Sequence, residues 1–152
     1  MPSSRAAFLI SEVGRFLNMG VEPYQFVSAL NCVLAQRLVR LICVHCKRPA
    51  TISEAALVES GLDSAMLVNT RFFEGAGCLE CGGTGYKGRT AICELLDLTD
   101  RIRDMILDRR PTSEIKKAAR EEGMRFLRDS AVEQVLLGRT TLREINKVTF
   151  VE

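Results

Sequence analysis

Two stretches decide how this chain is read. They are Leu41-Ile-Cys-Val-His-Cys-Lys-Arg48 and Cys78-Leu-Glu-Cys-Gly-Gly-Thr-Gly-Tyr-Lys-Gly88. Each contains a Cys-x-x-Cys pair, Cys43 with Cys46 and Cys78 with Cys81. One such pair presents two sulfurs from a single tight turn, and two pairs supply the four ligands of a closed tetrahedral site. Zn²⁺ is the metal this donor set predicts. Four thiolates leave no open coordination position, so the site reads as structural and no residue of the chain is expected to be catalytic. The gap between the pairs holds 31 residues, against roughly 15–20 in a compact zinc ribbon. The intervening chain must therefore fold as a small subdomain of its own.

Working outward, residues 5–18 carry Leu9, Val13, Phe16 and Leu17 at helical spacing, and Gly20 ends that helix. Pro23 opens a second helix. Its apolar stripe Val27, Leu30, Leu34, Leu38 and Leu41 predicts that it runs all the way to Cys43. Lys47-Arg-Pro49 reads as the exit of the first knuckle. Ser53 caps a short helix that Gly61 stops, and 62–70 hold a further half-turn. Arg71-Phe-Phe-Glu74 is a short strand, Gly82 to Gly88 a loop, and Arg89 to Leu98 a second strand. Four helices follow. Thr99-Asp100 caps the first, Thr112-Ser113 starts the second, and breaks fall at Pro111, Gly123 and Gly138; Thr141-Leu-Arg-Glu144 fits a capping box that opens the last. The expected class is α+β, mainly α.

Composition narrows the function. The chain has 152 residues, 47% of them hydrophobic and 26% charged, with a net charge of +2. That balance gives no global case for binding nucleic acid or a membrane surface. Four zinc-bound thiolates and one Zn²⁺ would together contribute −2 and bring the chain to neutrality. No run of about 18 apolar residues is present, and the apolar start Ala6 to Ile10 is too short for a signal peptide. With no sign of secretion, paired cysteines favour metal over disulfides. Cys32 and Cys93 lie outside the pairs, on the predicted second helix and second strand, and read as buried free thiols. The single histidine, His45, sits between two ligands and is expected to point outward. Gly82-Gly-Thr-Gly-Tyr-Lys-Gly88 is not a phosphate loop, because Gly-x-x-x-x-Gly-Lys-[Ser/Thr] is absent. Cys78 to Gly85 does fit the Cys-x-x-Cys-x-Gly-x-Gly unit of Hsp40-type chaperone zinc domains, once rather than four times.

A broader resemblance covers residues 13–150. Met19-Gly-Val-Glu-Pro23, Ala29-Leu-Asn-Cys-Val-Leu-Ala-Gln-Arg-Leu-Val-Arg40, both cysteine pairs, Gly83-Thr-Gly-Tyr-Lys-Gly-Arg-Thr90 and Glu94-Leu-Leu96 carry it. Gly123-Met-Arg-Phe-Leu127 and Gly138-Arg-Thr-Thr-Leu142 extend it. Together they resemble the C-terminal part of the type II secretion and type IV pilus extension ATPases. The resemblance implies cytoplasmic hexamers, peripheral to the inner membrane, docked on a secretion or pilus platform, with neighbouring subunits as partners. It implies that residues 1–41 are terminal helices of a RecA-like core, the first 12 or so atypical. Residues 42–88 would be the tetracysteine zinc subdomain, 89–98 a strand returning to the core and 99–152 a C-terminal helical domain. Cys43, Cys46, Cys78 and Cys81 match the family's zinc ligands, and Arg89 matches an arginine near the nucleotide site of the assembled enzyme. The Walker motifs are not in this chain, so ATP and Mg²⁺ belong to the full-length parent and the chain reads as a fragment of it. Two other readings fit the cysteines alone: a stand-alone zinc ribbon that binds nucleic acid or protein, and a thiol oxidoreductase using one Cys-x-x-Cys pair.

Overall fold

The structure, a computed structural model, describes residues 8–20, 22–63 and 70–149. Among these the helices are α1 (Phe8–Asn18), α2 (Pro23–Ala29), α3 (Glu54–Glu59), α4 (Asp100–Leu107), α5 (Thr112–Glu121), α6 (Leu127–Leu136) and α7 (Leu142–Val148). The strands are β1 (Cys32–Ile42), β2 (Lys47–Ala50), β3 (Phe72–Gly75) and β4 (Tyr86–Asp97). Helix and strand are thus mixed, and four helices follow the last strand as expected. Most of the half-turn expected over 62–70 lies outside the described residues, as do the side chains of Leu9 and Leu17.

The largest correction concerns the stripe Val27 to Leu41. The helix ends at Ala29, where Leu30 is extended at φ −113° and ψ 138°, and the chain continues as β1. Residues 1–41 are therefore not helical throughout. The sequence fits both periods: Leu30, Leu34 and Leu38 at spacing four, and Val33, Ala35, Arg37, Val39 and Leu41 at spacing two. The second set is the one that turns inward. Ala35 and Val39 are 6% and 2% exposed, while Leu34 and Leu38 are 58% and 56% exposed. Pairing decides between the two periods. The Leu98 amide donates to the Asn31 carbonyl at 2.9 Å, and the Cys43 amide donates to the Gly85 carbonyl at 2.9 Å. β1 and β4 form a two-stranded sheet, and these bonds make it antiparallel.

Two further segments differ from expectation. Lys47-Arg-Pro49 belongs to β2, which pairs antiparallel with β3: Lys47 lies opposite Gly75, Arg48 opposite Glu74, Pro49 opposite Phe73 and Ala50 opposite Phe72. β4 starts at Tyr86 rather than Arg89, which shortens the glycine loop. Cys32 is an exposed strand residue and Cys93 a partly exposed one, so neither is a buried thiol.

The chain forms two compact units, each from two segments: residues 1–36 with 93–127, and 37–92 with 128–152. The first unit holds a continuous apolar core in which Ile102 and Ile106 of α4 meet Ala118 and Ala119 of α5 and Val27 of α2. Both isoleucines are 0% exposed, and each such burial contributes about 1.5–3 kcal/mol. Thr99 caps α4 by accepting from the Ile102 amide at 3.3 Å. Arg103 of the same helix donates to the Leu30 carbonyl at 2.7 Å, satisfying an acceptor that the end of α2 leaves open.

In the second unit the C-terminal helices grip the strand that leads to Cys43. The Ile42 amide donates to the Arg139 carbonyl at 2.8 Å, and the Thr140 hydroxyl to the Arg40 carbonyl at 2.7 Å. The Arg40 guanidinium donates twice to Glu144, at 2.8 and 2.6 Å, and lies 4.2 Å from the Tyr86 ring centre. The capping box expected at Thr141 is thus half formed. Thr141 accepts from the Glu144 amide at 3.3 Å, but the Glu144 carboxylate bonds Arg40 and Lys147. The Arg40 hydrogen bond, followed by that of Lys147, outweighs burial and holds the Glu144 carboxyl down at about 2.

Candidate metal centre

Both strand pairs converge on the cysteines. β1 ends at Ile42, one residue before Cys43, and β2 begins one residue after Cys46. β3 ends at Gly75, three residues before Cys78, and β4 starts five residues after Cys81. The β2–β3 register is continued by the Ala76 amide, which donates to the Cys46 carbonyl at 3.0 Å. The Cys43 amide on the Gly85 carbonyl closes the other side. A 3₁₀ turn over Leu79–Cys81 shapes the second knuckle, and Gly82 ends it in the left-handed region at φ 59°.

The result is one compact sulfur cluster. Its four Sγ atoms lie within 4.8 Å of one another. Cys43 to Cys78 is 3.8 Å, Cys46 to Cys81 is 3.9 Å and Cys78 to Cys81 is 3.7 Å. No pair is bonded as a disulfide. Metal–sulfur bonds of about 2.3 Å in a regular tetrahedron place sulfurs about 3.8 Å apart, so the spacing fits a Zn²⁺-sized ion. Cys43 is fully buried and the other three are partly exposed.

Backbone amides supply the local electrostatics. The Cys81 sulfur accepts from the Cys78 and Gly85 amides, each at 3.2 Å. Burial pushes the Cys81 thiol up, but these two amides together with the Cys78 and Cys46 thiols outweigh it and bring it down to about 6. Burial dominates at Cys46 and pushes that thiol up to about 11, against the opposing Gly77 amide. The two knuckles thus differ in how readily their second sulfur ionises, a difference that a coordinated cation overrides by deprotonating each thiol it binds.

The other expected site residues fall elsewhere. His45 is exposed and outside the sulfur cluster. Arg89 is exposed on β4 and also stands outside it. Sequence reading missed Gly85 as a sulfur partner; its visible signal was only a glycine-rich exit from the second pair. It also missed Glu94, which is 2% exposed and accepts from the Leu127 amide at 2.9 Å, ahead of α6. In sequence Glu94 is merely a charged residue in an apolar strand.

Fold and site define an α+β chain of two units with a tetracysteine group that has the geometry to hold a metal ion. This chain belongs to the type II/IV secretion system protein family, which matches it over residues 6–147. It is 45% identical over 133 residues to a type IV pilus assembly ATPase PilB of Thermus thermophilus, covering 88% of this chain and 15% of that protein. It is 37% identical over 134 residues to the PilB of Myxococcus xanthus, covering 88% and 24%. It is 38% identical over 140 residues to a type II secretion system protein E of Pseudomonas aeruginosa, covering 92% and 27%. The chain therefore spans about a quarter or less of the length of these relatives.

Proposed function

We propose that this chain is the zinc-binding C-terminal module of an ATPase that powers protein secretion or pilus extension. The observation that carries the metal reading is the sulfur spacing of 3.7 to 3.9 Å across both knuckles. The relatives named as pilus assembly ATPases and secretion system proteins carry the rest. Cys43, Cys46, Cys78 and Cys81 hold one structural Zn²⁺. That ion supplies a fixed tetrahedral junction between the two knuckles, and the chain's own residues perform no chemistry there.

In this reading residues 1–41, as helices and strand β1, end the RecA-like core, 42–88 form the zinc subdomain, 89–98 return to the core and 99–152 form the helical domain. The exposed Leu34 and Leu38 of β1 support burial of that strand in a larger protein. The module packs between subunits of a hexamer in the cytoplasm, against the inner membrane, and passes ATP-driven motion to the platform. ATP and Mg²⁺ bind in the parent enzyme, with Arg89 near its nucleotide. Consistent with a peripheral position, no helix among the described residues is long and apolar enough to cross a membrane.

Metal analysis of the purified chain tests the core of the proposal. One zinc per chain, displaced when Cys43→Ser is introduced, is the expected result; absence of stoichiometric zinc in the parent chain overturns it. For the coupling role, Cys43→Ser in the longer ATPase is expected to reduce secretion or piliation. Unchanged secretion or piliation after zinc loss overturns that role.

A further inference from the structure

We infer that Gly85 is a positioning residue of the metal centre, aiming its backbone amide at the Cys81 sulfur from a place where no side chain fits. The inference rests on the zinc reading above and concerns what holds the sulfurs in place.

The Gly85 amide donates to the Cys81 sulfur at 3.2 Å. The second cysteine of the second pair is therefore served by a glycine outside its own Cys-x-x-Cys. Gly85 is left-handed, at φ +78°. A Cβ on it would lie 2.4 Å from the Gly75 carbonyl oxygen. From the other side, a Cβ on Gly75 would lie 1.9 Å from the Gly85 oxygen. These are backbone atoms, so no side-chain rotation relieves the overlap. Gly85 also accepts from the Cys43 amide at 2.9 Å. One residue thus ties the backbone of the first pair to a sulfur of the second.

The neighbouring glycines give an internal contrast. Gly82 and Gly83 are also left-handed, at φ +59° and +77°, yet a Cβ on either meets nothing within 4 Å. Their amides go to the carbonyls of Leu79 and Cys78 rather than to sulfur. Within one short loop, then, backbone strain is shared, but the close crossing and the sulfur contact are confined to particular glycines. A thiolate centre concentrates negative charge, and outer partners that donate to its ligands fix their direction. Losing such a partner costs 10- to 100-fold in metal affinity as a typical order of magnitude.

The test compares Gly85→Ala and Gly82→Ala in the zinc-loaded chain, using competition against a chromophoric chelator. Gly85→Ala is expected to bind zinc about 10- to 100-fold more weakly, with Gly82→Ala close to the parent. With Co²⁺ in place of zinc, the sulfur-to-metal absorption bands are expected to shift in Gly85→Ala alone. Far-UV circular dichroism reports whether the helices persist. Should Gly85→Ala fail to fold, the parent chain loaded with ¹¹³Cd²⁺ carries the test: scalar coupling between the metal and the Gly85 amide proton is expected, and its absence overturns the inference. Parent-like affinity and spectra in Gly85→Ala overturn the inference while the zinc reading stands. Equal loss in Gly82→Ala overturns it in favour of general loop strain. A parent chain that takes up no zinc overturns the zinc reading and this inference with it.

Discussion

The core around α4 and α5 and the ground around the four cysteines are stabilised by different means. The first buries Ile102, Ile106, Ile115, Ala118 and Ala119 to 5% exposure or less. The second spans residues 43–81, where the buried apolar side chains are Cys43, Leu57 and Phe72 among those described. Knuckle residues Val44 and Leu79 are 79% and 100% exposed. An apolar core is distributed over many contacts and degrades gradually. A tetracysteine centre concentrates its stabilisation in four sulfurs and fails as a unit.

The sharpest way to break that contrast is Cys43→Ser. It is expected to abolish zinc binding and open the 43–81 region to limited proteolysis, while fragments containing α4 and α5 survive. Structural zinc contributes on the order of 10–16 kcal/mol in small zinc-dependent peptides, so this is the largest effect expected here. Uniform digestion of both regions would show that they do not differ in this way. Ile106→Ala attacks the other side. It is expected to cost about 2–5 kcal/mol by chemical denaturation while the zinc content stays unchanged.

Glu144→Gln strikes the support behind β1 and is expected to cost about 1–2 kcal/mol at neutral pH, because a nearly buried carboxylate loses its charge-assisted bonds. Its pH dependence has a definite sign. The folded carboxyl is held at about 2, below its ordinary 4.5. The stabilisation is therefore full above about pH 4.5 and fades as pH falls from 4.5 towards 2. Comparing parent and variant in the same metal-free state isolates this slope from acid release of the ion. Equal slopes for the two proteins over that range would exclude it. The smallest expected effect is Thr99→Ala, about 1 kcal/mol in thermal or chemical unfolding, from loss of the α4 cap.

Element by element, legibility followed how local the signal is. Ser53, Thr99 and Thr141 cap helices as expected because a side-chain oxygen needs only the amide three residues on. Gly61, Gly123 and Gly138 end their helices in the left-handed region as expected. Leu30 to Leu41 defeated periodicity, because its apolar residues satisfy spacings of two and four alike and only partner β4 selects one. β2 was illegible for the same reason: four residues with a proline declare no strand until β3 lies opposite. Glu144 looked like half of a capping box because Arg40, 104 positions away, is invisible to a local pattern.

The sequence by itself determined that four cysteines come in two pairs, that helices start and stop at particular caps and glycines, and that the chain resembles a secretion ATPase family. These are matters of spacing, backbone conformation and motif, all confined to a few residues. Tertiary structure alone decided that Cys43 and Cys78 stand 3.8 Å apart across 35 positions, that β1 is a strand, and that the Gly85 amide faces the Cys81 sulfur. Each of these depends on which distant backbone supplies the hydrogen-bond partner, and that choice is made only when the chain closes on itself.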